Sequence, residues 1–123
     1  MDTELGERFA RTLAARDADG LKVLLTPHVD FRAMTPGGVA ESHDADVVVD
    51  EVMLGRWFSP DRTITAVLGI DCDHVGPVDR VGYRFRAELP DGAFIVEQQA
   101  YLKTQDDRIH WLRIMCSGFH REA

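Results

Sequence analysis

The stretch GAFIVEQQAYLKTQDDRIHWLRIMCSGF, Gly92 to Phe119, carries the reading of the fold. It holds two β-prone runs, rich in Val, Ile, Tyr, Phe and Trp, on either side of Asp106-Asp107, a pair suited to a tight hairpin turn. Glu97, Gln98 and Gln99 interrupt the first run. Unpaired polar groups are costly to bury, so either this strand lines a cavity or its polar face meets water.

Turn chemistry sets an expected register. Pro90-Asp91-Gly92 reads as a three-residue hairpin loop with glycine at the left-handed position, which pairs Leu89 with Ala93, Tyr83 with Gln99 and Phe85 with Glu97. Asp106-Asp107 reads as a two-residue turn with Gln105 facing Arg108, which pairs Lys103 with His110, Tyr101 with Leu112, Gln99 with Ile114 and Glu97 with Cys116. One predicted face then carries Val81, Tyr83, Phe85, Glu97, Gln99, Tyr101, His110, Leu112, Ile114 and Cys116. The other carries Arg84, Arg86, Val96, Gln98, Leu102, Trp111, Arg113 and Met115. A bulge of one residue in either strand would reverse part of this division.

Working outward, Thr63 to Asp71 and Arg80 to Leu89 alternate as strands, with CDHVGPVD (Cys72 to Asp79) between them as a loop. Upstream, Leu5, Phe9 and Leu13 recur every four residues and predict an amphipathic helix from Thr3 to Arg16. Asp17 caps a second helix on Leu21, Leu24 and Leu25, ended by Thr26-Pro27. Val29 to Met34 reads as a short strand with Val29, Phe31 and Ala33 inward, Thr35 to Gly38 as a turn, and Val39 to Glu41 as a returning stub. ADVVVDEVMLGRWF (Ala45 to Phe58) is long enough for a helix, with Ser42 or Asp44 as its cap.

The chain of 123 residues predicts a single domain, 1–123, which at this size buries roughly two-thirds of its unfolded surface. Hydrophobic residues at 45% and charged residues at 28% are those of an ordinary soluble protein. Fourteen basic against twenty-one acidic side chains give a net charge of -7, which argues against nucleic acid and anionic membrane as partners. MDTELGERFA lacks the order of a secretory signal, so a cytoplasmic protein with both cysteines, Cys72 and Cys116, reduced is expected. No nucleotide-binding glycine motif or GxSxG is present, and Asp71-Cys72-Asp73-His74 lacks the spacing of a zinc or calcium site. No cofactor and no metal are expected.

The element order, and above all RFARTLAARDADGL, VDFRAMTPGG, AYLKTQDDRIHWLRI and the closing CSGFHRE, resembles the nuclear transport factor 2-like superfamily, which includes SnoaL-like cyclases and ketosteroid isomerases. That resemblance implies an α+β fold: a cone-shaped α+β barrel, three helices from the N-terminal half packed on a curved, mainly antiparallel sheet. In the isomerase branch a tyrosine and a carboxylic acid form the oxyanion hole and a first-strand aspartate moves the proton. Those positions look like Phe9, Gln99 and Phe31 here, and an aspartate of epoxide-hydrolase-like members looks like Ile114. The resemblance therefore implies the fold and weakens both reactions.

Within the expected register, Glu97, Tyr83 and Gln99 form the candidate catalytic group: Glu97 as acid or base with its pKa raised by aromatic walls, Tyr83 and Gln99 as hydrogen-bond donors. Phe9, Phe31, Trp57, Phe85, Tyr101, His110, Leu112, Ile114 and Cys116 line the expected ligand pocket. Cys116 reads better as a small buried hydrophobe than as a nucleophile, and His110 better as a surface residue than as an acid-base group. Val96, Gln98, Leu102, Trp111 and Met115 make an apolar patch on the opposite face, which predicts a homodimer packed sheet to sheet. Two functions fit: a cofactor-free isomerase, dehydratase or cyclase acting on an apolar carbonyl or polyketide-like compound, or a non-catalytic dimeric module that binds a hydrophobic ligand or partner.

Overall fold

The computed structural model describes residues 3–122. The first helix, α1 (Thr3–Ala14), buries the stripe Leu5, Phe9 and Leu13, and α2 (Ala18–Leu24) follows. Asp17 caps α2 by accepting the Gly20 N–H at 2.9 Å, the bond its short polar side chain favours at a helix start. The chain then runs through β1 (Leu25–Thr35) and β2 (Gly38–Ser42), crosses over in α3 (Val47–Trp57), and finishes in β3 (Thr63–Val75), β4 (Val78–Leu89), β5 (Gly92–Gln105) and β6 (Arg108–Arg121). None of the described helices is long and apolar enough to cross a membrane.

The six strands form one sheet in the order β2-β1-β6-β5-β4-β3. Only β1 and β6 run parallel; every other neighbour is antiparallel. The sheet curves around the helices and does not close, giving the expected cone. Its inner face carries Val29, Phe31 and Ala33 of β1, Val81, Tyr83 and Phe85 of β4, Val96, Ala100 and Leu102 of β5, and Leu112, Ile114 and Cys116 of β6, all buried against the helices.

Three sequence expectations are corrected. The predicted loop from Cys72 to Asp79 is mostly strand: β3 continues to Val75 and turns at Gly76-Pro77, because Asp71 and Asp73 both find Arg80 across the ladder. The β4–β5 connection is shorter than predicted, with Leu89 paired to Gly92, so Tyr83 faces Gln98 and Phe85 faces Val96. In the β5–β6 hairpin Gln105 does face Arg108, but His110 is an extra residue between the pairs Thr104–Ile109 and Lys103–Trp111. Each of the two hairpin changes shifts the pairing by one residue, and a one-residue slip turns every side chain to the other face.

Helix α3 has π-type winding, shown at its end by the Phe58 N–H reaching Met53 O at 2.8 Å, five residues back. Gly55 permits this. A Cβ there would stand 2.5 Å from the Asp50 carbonyl oxygen, closer than side-chain atoms approach backbone. In an ordinary α-helix Gly→Ala stabilises by about 1 kcal/mol. Here the sign is expected to reverse: Gly55→Ala should destabilise by about 1–3 kcal/mol, the usual cost of overpacking, measured as a lower urea midpoint. A rise in that midpoint would show that the wide winding is not required.

Candidate functional site

The shift of β5 exchanges the two halves of the polar triplet. Gln98, not Glu97 or Gln99, points into the cone, where it is 1% exposed. Gln98 pairs with Tyr83 on one side and Cys116 on the other, so the three form a row across β4, β5 and β6. The Tyr83 hydroxyl donates to Gln98 Oε1 at 2.6 Å. The Gln98 Nε2 group is buried with no hydrogen-bond partner. Most buried polar groups are satisfied, and one that is not marks strain or a place for a ligand or water.

Aromatic rings surround this row. Tyr83 stacks on Phe85 at 5.1 Å and meets the edge of Phe9 at 6.2 Å, and Phe58 packs between Phe85 and Phe119, both at 6.0 Å. Phe31 lies against Trp57. Burial pushes the Tyr83 phenol well above its usual range, with Cys116 acting in the same direction, because an ionised form has little solvation here. Tyr83 is therefore a neutral hydrogen-bond donor already committed to Gln98.

Glu97 and Gln99 lie on the outer face in a polar ladder. Arg84 holds Glu97 at 2.8 Å, Gln99 Nε2 donates to Glu97 at 3.1 Å, and Arg80 joins Gln99 to Asp71 and Asp73. The Glu97 side chain is 39% exposed. Its expected place among aromatic walls is corrected, and the reason is the shorter β4–β5 turn. Tyr101 also turns outward, half-buried beside Arg113 and Met115, and His110 occupies the bulge near the turn. Of the expected interface residues, Val96, Gln98 and Leu102 are inside the cone, while Trp111 and Met115 remain on the outer face. Trp111 is covered within its own chain by Lys103 at 4.7 Å and Arg113 at 4.4 Å.

A cavity of about 320 Å³ opens where β6, α3 and the β1–β2 turn meet. Cys116, Trp57 and Phe119 line it, with Arg56, Arg62 and the segment from Thr35 to Ala40 around them. A second bulge makes this wall. Between Cys116, opposite Gln98, and Phe119, opposite Val96, β6 carries one residue more than β5. The bulge re-aims the strand so that two side chains three residues apart face the same space. Gly118 has φ +79 and a Cβ there would lie 2.9 Å from Pro36 Cγ, so glycine suits both the conformation and the contact. Thus Cys116 is shared between the cavity wall and the Tyr83–Gln98 row.

The structure brings Phe9, Phe31, Phe85, Leu112, Ile114 and Cys116 to the interior, with Trp57 at the cavity. It separates Tyr83 from Glu97 and Gln99 by the thickness of the sheet. Gln98, Arg56 and Arg62 are the residues missed. One signal for Gln98 exists in the sequence: Val96, Ala100 and Leu102 share its parity, whereas Glu97 shares parity with Lys103. Among the described residues no cluster of His, Cys, Asp and Glu could hold a metal ion, and no carboxylate is buried in the core.

Solved structures share this architecture at low sequence identity. An NTF2-like protein of Burkholderia thailandensis superposes with a TM-score of 0.71 at 12% identity, covering 94% of this chain and 89% of that one. A Pseudomonas putida protein provisionally described as a polyketide cyclase gives 0.69 at 13%, covering 93% and 90%. An LEH-like epoxide hydrolase of M. tuberculosis gives 0.65 at 13%, covering 94% and 81%. No protein-family model matches the sequence, and no curated protein does. The chain has the nuclear transport factor 2-like fold.

Proposed function

We propose that this chain binds a small, largely apolar compound bearing a carbonyl or similar hydrogen-bond acceptor, and that binding, not acid-base turnover, is its work. The observation that carries the reading is the unpartnered Gln98 Nε2 group, buried beside Cys116, which in turn lines the cavity. A ligand entering past Trp57 and Cys116 would supply the missing acceptor while its apolar body lies against aromatic walls. Leaving a buried donor unpaired costs about 1–3 kcal/mol, so satisfying it favours a ligand with an acceptor over one without.

Small-molecule chemistry among proteins of this fold, such as the epoxide hydrolase, gives the reading its context. The cyclase and isomerase alternatives need an internal acid or base. Glu97 is held by Arg84 on the outer face, and burial keeps Tyr83 a neutral phenol that does not give up its proton, so no buried group of the described residues fills that role.

The test uses acetophenone and its hydrocarbon isostere cumene, read by Trp57 fluorescence in a Trp111→Phe background. Acetophenone is expected to bind about tenfold more tightly than cumene, and Gln98→Leu to erase the difference. Glu97→Gln should change acetophenone affinity less than twofold. Equal binding of the two compounds, or none, overturns the proposal; a large loss in Glu97→Gln would restore the carboxylate reading.

A further inference from the structure

We infer that the ligand of this cavity carries, opposite its carbonyl, a single anionic group such as a carboxylate, and that Arg56 receives it at the mouth. This rests on the pocket reading above and adds a charge to it. The charged residues lining the cavity are Arg56 and Arg62; no aspartate or glutamate is among them. That is the opposite of the surrounding chain, whose net charge is -7. A cleft walled by low-dielectric side chains focuses the field of the charges on its rim, so two cations there select against the ligands the rest of the surface would accept.

Arg62 is engaged. Its Nη1 donates to Trp57 O at 2.9 Å and Arg56 O at 3.2 Å, and its guanidinium lies 4.8 Å from the centre of the Phe119 ring. From the other side, Arg16 donates to Phe58 O at 2.8 Å and Leu54 O at 3.4 Å. Together they cap the carbonyl end of α3, whose partial negative charge would otherwise repel an anion at this mouth. Arg56 sits on the last turn of the same helix, exposed at the rim. No carboxylate or carbonyl holds its guanidinium among the described residues, whereas Arg80, Arg84, Arg86, Arg113 and Arg121 all have one. A planar fork of free donors beside an apolar cavity matches a carboxylate bidentately.

The ligand class is thus an apolar oxo acid, its carbonyl inward toward Gln98 and its carboxylate at Arg56. The probe is 4-acetylbenzoate, compared with its methyl ester and with acetophenone by the same Trp57 fluorescence titration. The acid is expected to bind about five- to tenfold more tightly than the ester, with an advantage that shrinks as salt is raised. Arg56→Gln should abolish that advantage, so that acid and ester bind alike. If acetophenone binds but the acid gains nothing, or Arg56→Gln leaves its gain intact, the anionic assignment falls while the pocket reading stands. If the acid binds through Arg56 and acetophenone does not, the anionic assignment stands and the carbonyl reading falls. Binding of none of the three overturns both.

Discussion

Gln98→Glu should leave the protein near its normal stability at pH 4 and destabilise it progressively as pH rises to 7. Glutamate matches glutamine in shape, and its protonated carboxyl can still accept from the Tyr83 hydroxyl. The change lies in ionisation. At a position 1% exposed among aromatic rings, the charged form loses solvation, so the folded-state pKa rises above the unfolded value of about 4.3. A carboxyl with a raised folded pKa costs nothing below the unfolded pKa. Above it, the unfolded chain ionises first and is favoured by about 1.4 kcal/mol per pH unit until the folded pKa is reached. If the buried group stays neutral to pH 7, the loss there is about 3–4 kcal/mol. Urea denaturation of both proteins at pH 4, 5, 6 and 7 measures it as the difference between their stabilities. A difference that stays flat across that range would mean residue 98 meets water, and the inner row would lose its central member.

That experiment also tests the part of the fold that sequence reasoning handled least well. Both faces of β4 and β6 were legible: Val81, Tyr83 and Phe85, and Leu112, Ile114 and Cys116, do point into the cone. The face of β5 between them was not. The β4–β5 turn is one residue shorter than glycine chemistry implied, and the β5–β6 ladder is one residue offset by His110. From β4 to β6 the two errors add to a shift of two residues, from Ile114 to Cys116 opposite Tyr83, which restores the same face. The outer strands of the three therefore agreed with each other while the middle one was inverted. Residues such as Asp106 and Asp107 mark their turn correctly, whereas the loop length at Pro90, Asp91 and Gly92 and the bulge at His110 depend on pairing and packing across strands, which local composition does not contain.

The same limit applies to the site. Phe9, Phe31 and Trp57 were legible as interior residues because apolar periodicity reports burial. The cavity mouth was not, since it is built by the Gly118 bulge and the wide winding of α3, both of which are tertiary in origin. Arg56 looks in sequence like any surface cation at the end of a helix. Only its placement beside Trp57 and Cys116 distinguishes it from Arg11, which spends its charge on Glu7 one turn away.

Phe58→Ala is expected to have an effect at least as large, for a reason that joins core and cavity. Phe58 follows α3 directly and is fully buried, with its ring between Phe85 of β4 and Phe119 of β6. Its carbonyl accepts from Arg16, so the backbone at this point is anchored independently of the ring. Truncation should therefore leave the chain path in place and create a void, the condition under which large-to-small changes cost most: about 3–5 kcal/mol for phenylalanine. Because Phe119 lines both the void and the cavity, the two spaces should merge. A merged apolar space admits ligands that the native cavity excludes, as dry engineered cavities do. Thermal unfolding of Phe58→Ala should show a lower midpoint, partly recovered by cumene, with recovery larger than the same compound gives the unsubstituted protein. A midpoint lowered without any cumene response would mean that the walls collapse into the void. A midpoint within a degree or two of the original would mean that Phe58 does not tie α3 to the sheet.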